Sequence, residues 1–227
     1  MTALSSLVFG AAGIAAALGV DRLLTRRGSL SAAGSPAAPA EGVVGVHPAV
    51  TVALTGVLWA ALALRFGPGT TLPAEAVMVT GVVPLAASDL ERYLLPKRLV
   101  YPALAATAAA VLGAAAANGD WSRLGVAAAC GLGSWVVFLV LHLARPGWLG
   151  FGDVRLASLL GLGIGWVDPR GLLPAFLVAN LAAAIVGIGL IATGRATRRT
   201  PLPYGVFLSL GALAAVLAPV GLLRAVG

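Results

Sequence analysis

The chain has 227 residues, of which 59% are hydrophobic and 10% charged, with a mean hydropathy of +0.99. A soluble domain carries roughly 25% charged residues, so this composition excludes the soluble globular class and requires lipid around the chain. The net charge of +7 does not point to nucleic acid, because the basic residues sit in short loops between apolar segments, the pattern that orients membrane proteins.

A membrane helix needs about 20 mostly apolar residues. Eight segments fit that pattern in chain order: 3–20, 47–66, 72–88, 99–117, 124–143, 153–167, 171–193 and 204–226, the third and sixth being short. No basic residue precedes the first, so no secretory signal is expected. Between the first two, residues 29–39 are small and proline-rich and read as a flexible loop. The expected organisation is therefore 1–46, a first transmembrane helix with a flexible cytoplasmic loop, followed by a membrane core over 47–227. Arg22, Arg26, Arg27, Arg92, Lys97, Arg98, Arg145, Arg195, Arg198 and Arg199 follow the odd-numbered spans, against Arg65, Arg123, Arg170 and Arg224 on the other side. The fold expected is all-α, a polytopic membrane protein of about eight transmembrane helices, with both termini outside the cytoplasm.

Two aspartates fall at the same cytoplasmic boundary. Asp89 closes the third span, and Asp153 opens the sixth after the glycine-flanked turn Gly150-Phe151-Gly152. Carboxylates are costly near lipid, which makes such a pair a functional site by default. Two like charges at one site do not both ionise cheaply, so the pair shares one proton. That state suits aspartyl proteolysis: one carboxylate takes a proton from water while the other protonates the scissile carbonyl. The two roles stay unassigned, because the pair titrates as a unit. Gly150 and Gly152 are expected to let backbone approach closely and to take up positive φ, which fits an active-site loop that admits an extended peptide. Arg155, two residues beyond Asp153, is a further candidate at this loop, although i,i+2 residues do not share a helix face.

Other residues read more plainly. Asp120 and Asp168 lie among turn residues on the outer side and read as solvated loop acids. Gly161, Gly163, Gly165, Gly187 and Gly189 read as helix-packing residues, and Trp121 and Trp166 as interfacial residues near span ends. Cys130 is the one cysteine, and His47 and His142 have no partner at ligand spacing. Neither a disulfide nor a structural metal is expected, and no cofactor.

The chain resembles the type IV prepilin peptidase family of G-x-G-D membrane aspartic proteases. Ala87-Ser88-Asp89-Leu90-Glu91-Arg92-Tyr93-Leu94-Leu95-Pro96 is similar to the family's first aspartate segment. Gly150-Phe151-Gly152-Asp153-Val154-Arg155-Leu156 is similar to its second, with Arg155 where lysine is usual. Pro203-Tyr204-Gly205-Val206-Phe207-Leu208 resembles its late Pro-Phe-Gly-Pro-x-Leu segment, with Val206 replacing a proline, and His47-Pro48 resembles the opening of its second span. The resemblance implies catalysis by Asp89 and Asp153. It also implies a prepilin or pseudopilin substrate cut before its apolar helix, and a place in the bacterial inner membrane. It extends to the peptidase part only. The paired Cys-x-x-Cys motifs and the Asn-Val-x-x-x-Arg-Leu-Pro-like segment of the bifunctional, methyl-transferring members are not found here, and Thr51 stands where the family often has glutamate. A different function, a proton- or cation-coupled transporter using the two aspartates, predicts acids at mid-depth on broken helices, whereas both lie at the boundary. The sequence leaves the oligomeric state open.

Overall fold

The computed structural model describes residues 8–19, 22, 46–145, 149–197 and 200–218. Almost all of the 21–46 loop lies outside the described residues. The described residues form α-helices and no strand: α1 (Val8–Gly19), α2 (Pro48–Phe66), α3 (Thr71–Arg92), α4 (Lys97–Asn118), α5 (Trp121–Ala144), α6 (Phe151–Val167), α7 (Leu172–Ala192) and α8 (Tyr204–Leu217). A 3₁₀ turn, Pro169–Gly171, leads into α7. The segments of α2 to α5 and Pro169–Ala192 are each long and apolar enough to cross a membrane, which makes this a multi-pass membrane protein. Val8–Gly19 and Tyr204–Leu217 are apolar but shorter.

Local chemistry sets the helix ends. Pro48 opens α2, where its missing N–H is no loss, and His47 Nδ1 accepts the Ala49 N–H at 3.2 Å. Asp120 caps α5 by accepting the Arg123 N–H at 3.2 Å, and Asp168 accepts the Arg170 N–H at 3.0 Å. Both acids, expected on the outer side, are thus helix or turn caps. α3 ends at Tyr93, whose left-handed conformation (φ 52°) returns its N–H to the Asp89 carbonyl at 2.8 Å.

Helix α6 forms the axis of the bundle. Every residue from 153 to 166 except Arg155 is buried, and α3, α4, α5 and α8 pack around it. Its glycines are what let α5 come so close. A Cβ on Gly165 would lie 2.6 Å from Cys130 Cβ, and one on Gly161 would lie 2.7 Å from the Cys130 carbonyl; small residues at helix contacts admit this approach. Gly163 faces Met78 of α3. Gly189 of α7 faces open space, so it does not pack as expected. Leu64, Leu143, Leu173, Ile185 and Ile188 are largely exposed, an apolar surface of the kind that suits a lipid environment.

Trp166, expected at the interface, is fully buried. Arg123 donates from Nε to the Trp166 carbonyl at 2.6 Å and lays its guanidinium 4.4 Å from the Trp166 ring, which takes that surface from lipid. Nearby, Glu75 of α3 is fully buried, and neither carboxylate oxygen has a hydrogen-bond partner. Arg123 acts on it only through space. A buried polar group left unpaired costs about 1–3 kcal/mol. Glu75→Met, similar in volume, is therefore expected to raise the apparent Tm of the detergent-solubilised protein. A fall in Tm would show that the carboxylate is paired.

Candidate active site

Three segments distant in sequence meet at one end of the bundle. Asp89, in the last turn of α3, is 5% exposed, and Asp153, third residue of α6, is 8% exposed. Each carboxylate sits on a helix N-terminus. The Val206 N–H, in the first turn of α8, donates to Asp89 Oδ2 at 3.3 Å. The Gly150 N–H donates to Asp153 Oδ2 at 3.2 Å, while the Asp153 N–H donates to the Gly150 carbonyl at 3.0 Å. The free N–H groups and positive dipole end of a helix favour negative charge there. The two carboxylates lie within Coulombic reach of each other.

Leu95, in the connection after α3, joins the two halves. A Cβ on Gly152 would lie 2.8 Å from Leu95 Cβ, and one on Gly205 would lie 3.2 Å from Leu95 Cδ1 and 2.9 Å from Asp89 Oδ2. Both glycines are there for close approach. The expectation of positive φ at Gly150 and Gly152 is corrected: Gly150 is extended (φ −68°, ψ 143°), Gly152 is helical, and the positive-φ glycines among the described residues are Gly67, Gly119 and Gly194. The reason is that α6 begins at Phe151, so Gly150 is its cap residue and the chain enters the helix without a left-handed step.

Arg155 lies over the rings of Phe151 (4.3 Å) and Tyr101 (5.3 Å), on another face of α6 from Asp153. His142 Nδ1 donates to the Leu149 carbonyl at 2.7 Å and steadies the entry to α6. Glu91 Oε1 accepts the Val46 N–H at 2.7 Å and ties the start of α2 to the end of α3. Sequence reasoning missed the roles of Gly205 and Leu95. It also missed Tyr204, whose hydroxyl donates to Asn180 Oδ1 at 3.0 Å and whose ring lies within Coulombic reach of Asp153. The signal for the first and third was the late Pro203-Tyr204-Gly205 motif, which folds back onto Asp89.

A family profile described as "Type IV leader peptidase family" matches residues 76–188. Curated relatives named "Prepilin leader peptidase/N-methyltransferase" are similar to the chain. That of Bacillus subtilis (strain 168) is 28% identical over 172 residues, covering 76% of this chain and 66% of the relative. That of Aeromonas hydrophila is 30% identical, covering 72% and 56%. That of Myxococcus xanthus (strain DK1622) is 35% identical over 156 residues, covering 65% and 43%. The chain thus spans between 43% and 66% of the length of these relatives. No solved structure matches it. The matched region runs from the first turns of α3 into α7 and holds both buried aspartates, and this stretch of the chain belongs to the type IV leader peptidase family.

Proposed function

We propose that this protein is an aspartic endopeptidase of the bacterial inner membrane, cleaving the basic leader of type IV prepilins or pseudopilins at the cytoplasmic face. The observation that carries the reading is the pair of nearly buried carboxylates, Asp89 and Asp153, each at a helix N-terminus and close enough to act on one another. The names of the relatives supply the substrate class. In this reading 47–227 is the peptidase core, the chain crosses the membrane eight times with both termini outside, and the aspartate end faces the cytoplasm.

Hydrolysis then proceeds on a water held between the carboxylates. The ionised one removes a proton from the water, and the protonated one gives its proton to the scissile carbonyl oxygen. The resulting gem-diol collapses as the carboxyl that took the water's proton gives it to the leaving nitrogen and the other carboxylate takes a hydroxyl proton back, which breaks the C–N bond, releases amine and carboxylic acid and restores the pair. The helix N-termini at Val206 and Gly150 hold each carboxylate oxygen in place, so orientation does not have to be found at each turnover. The reading is confined to peptide hydrolysis, without methyl transfer. Gly150 and Gly152 form the loop that the substrate passes, with Arg155 at its edge.

The test is leader removal by the purified, lipid-reconstituted protein acting on candidate prepilins co-expressed from the same genome. A single cut yielding the mature pilin is expected. Intact substrate with every candidate would reject the reading. Because no three His, Cys, Asp or Glu residues cluster at metal-holding distance among the described residues, chelators should leave the rate unchanged. Serine- and cysteine-directed inhibitors should do the same. Loss of cleavage with a chelator, restored by metal, would contradict an aspartate-only site.

A further inference from the structure

A groove of about 260 Å³ runs between α2, α3 and α8. Both α2 and α8 lean on α3 and barely touch each other. It begins beside the candidate site: Leu90 follows Asp89, and Val206 gives its N–H to the Asp89 carboxylate. Along α3 the lining runs from Leu90 back to Val82, about 12 Å or two helical turns. Its two hydroxyls are already spent on their own helices, Thr51 on the Pro48 carbonyl and Ser209 on the Gly205 carbonyl, each at 2.7 Å. The groove therefore offers contact but no free hydrogen bond. Leu54 and Leu210 at its rim are about half exposed. At the aspartate end, Val46 and Glu91 bond across from α2 to α3, which anchors that end of the wall.

We propose that this groove is the docking surface for an apolar helical segment of the substrate, the stretch on the carboxyl side of the scissile bond. The inference rests on the peptidase reading. Its observations are the continuity of the groove with Asp89 and a lining that excludes a charged leader. Two turns of a partner helix present apolar side chains at i, i+3 or i+4, and i+7, and such a stripe fits a trough of this length and chemistry. A peptide seated here enters from the membrane with its polar end delivered to the aspartates.

The experiment places a photo-crosslinking amino acid at Leu54 or Leu210, with Leu141 on the exposed face of α5 as control, in reconstituted protein with full-length prepilin. Crosslinks to the apolar segment are expected from the two groove positions and not from Leu141. In parallel, Ala86→Phe partly fills the groove and should raise KM for prepilin about tenfold with kcat within about twofold. If wild-type protein cuts no prepilin, the peptidase reading fails. If it cuts prepilin, but the groove positions crosslink only to phospholipid and Ala86→Phe has wild-type KM, the groove is a lipid site and the proposal is overturned while the peptidase reading stands.

Discussion

Asp89→Asn and Asp153→Asn are each expected to lower leader cleavage by about 10³-fold or more while leaving membrane abundance and melting temperature near those of the unaltered protein. The prediction separates two readings of the same geometry. As caps, the aspartates accept N–H donors from Val206 and Gly150, and an amide oxygen accepts those bonds equally well; asparagine ranks with aspartate as a helix cap. As acid and base, they exchange protons with water and substrate, which an amide does not do. Full activity in either variant would reduce that aspartate to a cap. Asp120→Asn and Asp168→Asn, at caps on the opposite end of the bundle, should remain active.

Gly205→Ala carries the second large effect. The added methyl would lie 2.9 Å from Asp89 Oδ2 and 3.2 Å from Cγ, so it pushes the carboxylate off the α8 N-terminus. A misplacement of about 1 Å at a catalytic group costs about 10²-fold. That loss is expected in kcat with normal membrane abundance. Gly152→Val acts from the other side: its Cβ meets Leu95 Cβ at 2.8 Å, an atom bonded directly to the backbone that no change of rotamer moves, so the connection after Asp89 must move and most activity should go. Gly189→Ala, facing open space, is the matching control, because Gly163, deeper in α6, turns out to press on Met78. Unchanged kcat in Gly205→Ala would mean that the Val206–Asp89 bond does not set the catalytic geometry.

The helices were legible because each apolar run is bounded by prolines, glycines or charges. The edges were less so. The third span was read to stop at 88, yet α3 continues to Arg92: the polar string Asp89-Leu90-Glu91-Arg92 looks like a loop but turns Leu90 onto the groove and Asp89 inward. The sixth was read from 153, whereas the helix opens at Phe151, because Gly150-Phe151-Gly152 carries no helical periodicity. The aspartates stood out since carboxylates are rare in apolar sequence. Gly205 and Leu95 did not, because their work lies in contacts that local pattern cannot register; Val206 and Asp89 are 117 residues apart. Glu75 was overlooked although an acid inside an apolar run is itself a signal.

The glycine-faced contact of α6 with α5 has a consequence for motion. A helix pressed against Cys130 and Ala127 on one side and Met78 on another has no slack to rotate or slide without a backbone collision, and interiors packed this tightly do not deform continuously. Asp153 therefore rides on the stiffest part of the molecule. Compliance belongs to α2, which leans on α3 and scarcely meets α8: apart from the Arg65 Nε–Ala218 carbonyl hydrogen bond at 3.2 Å, it can part from α8 without breaking a packed seam. In the proposed peptidase, adaptation to different guests thus falls to α2, while the angle of Asp153 is held by α6.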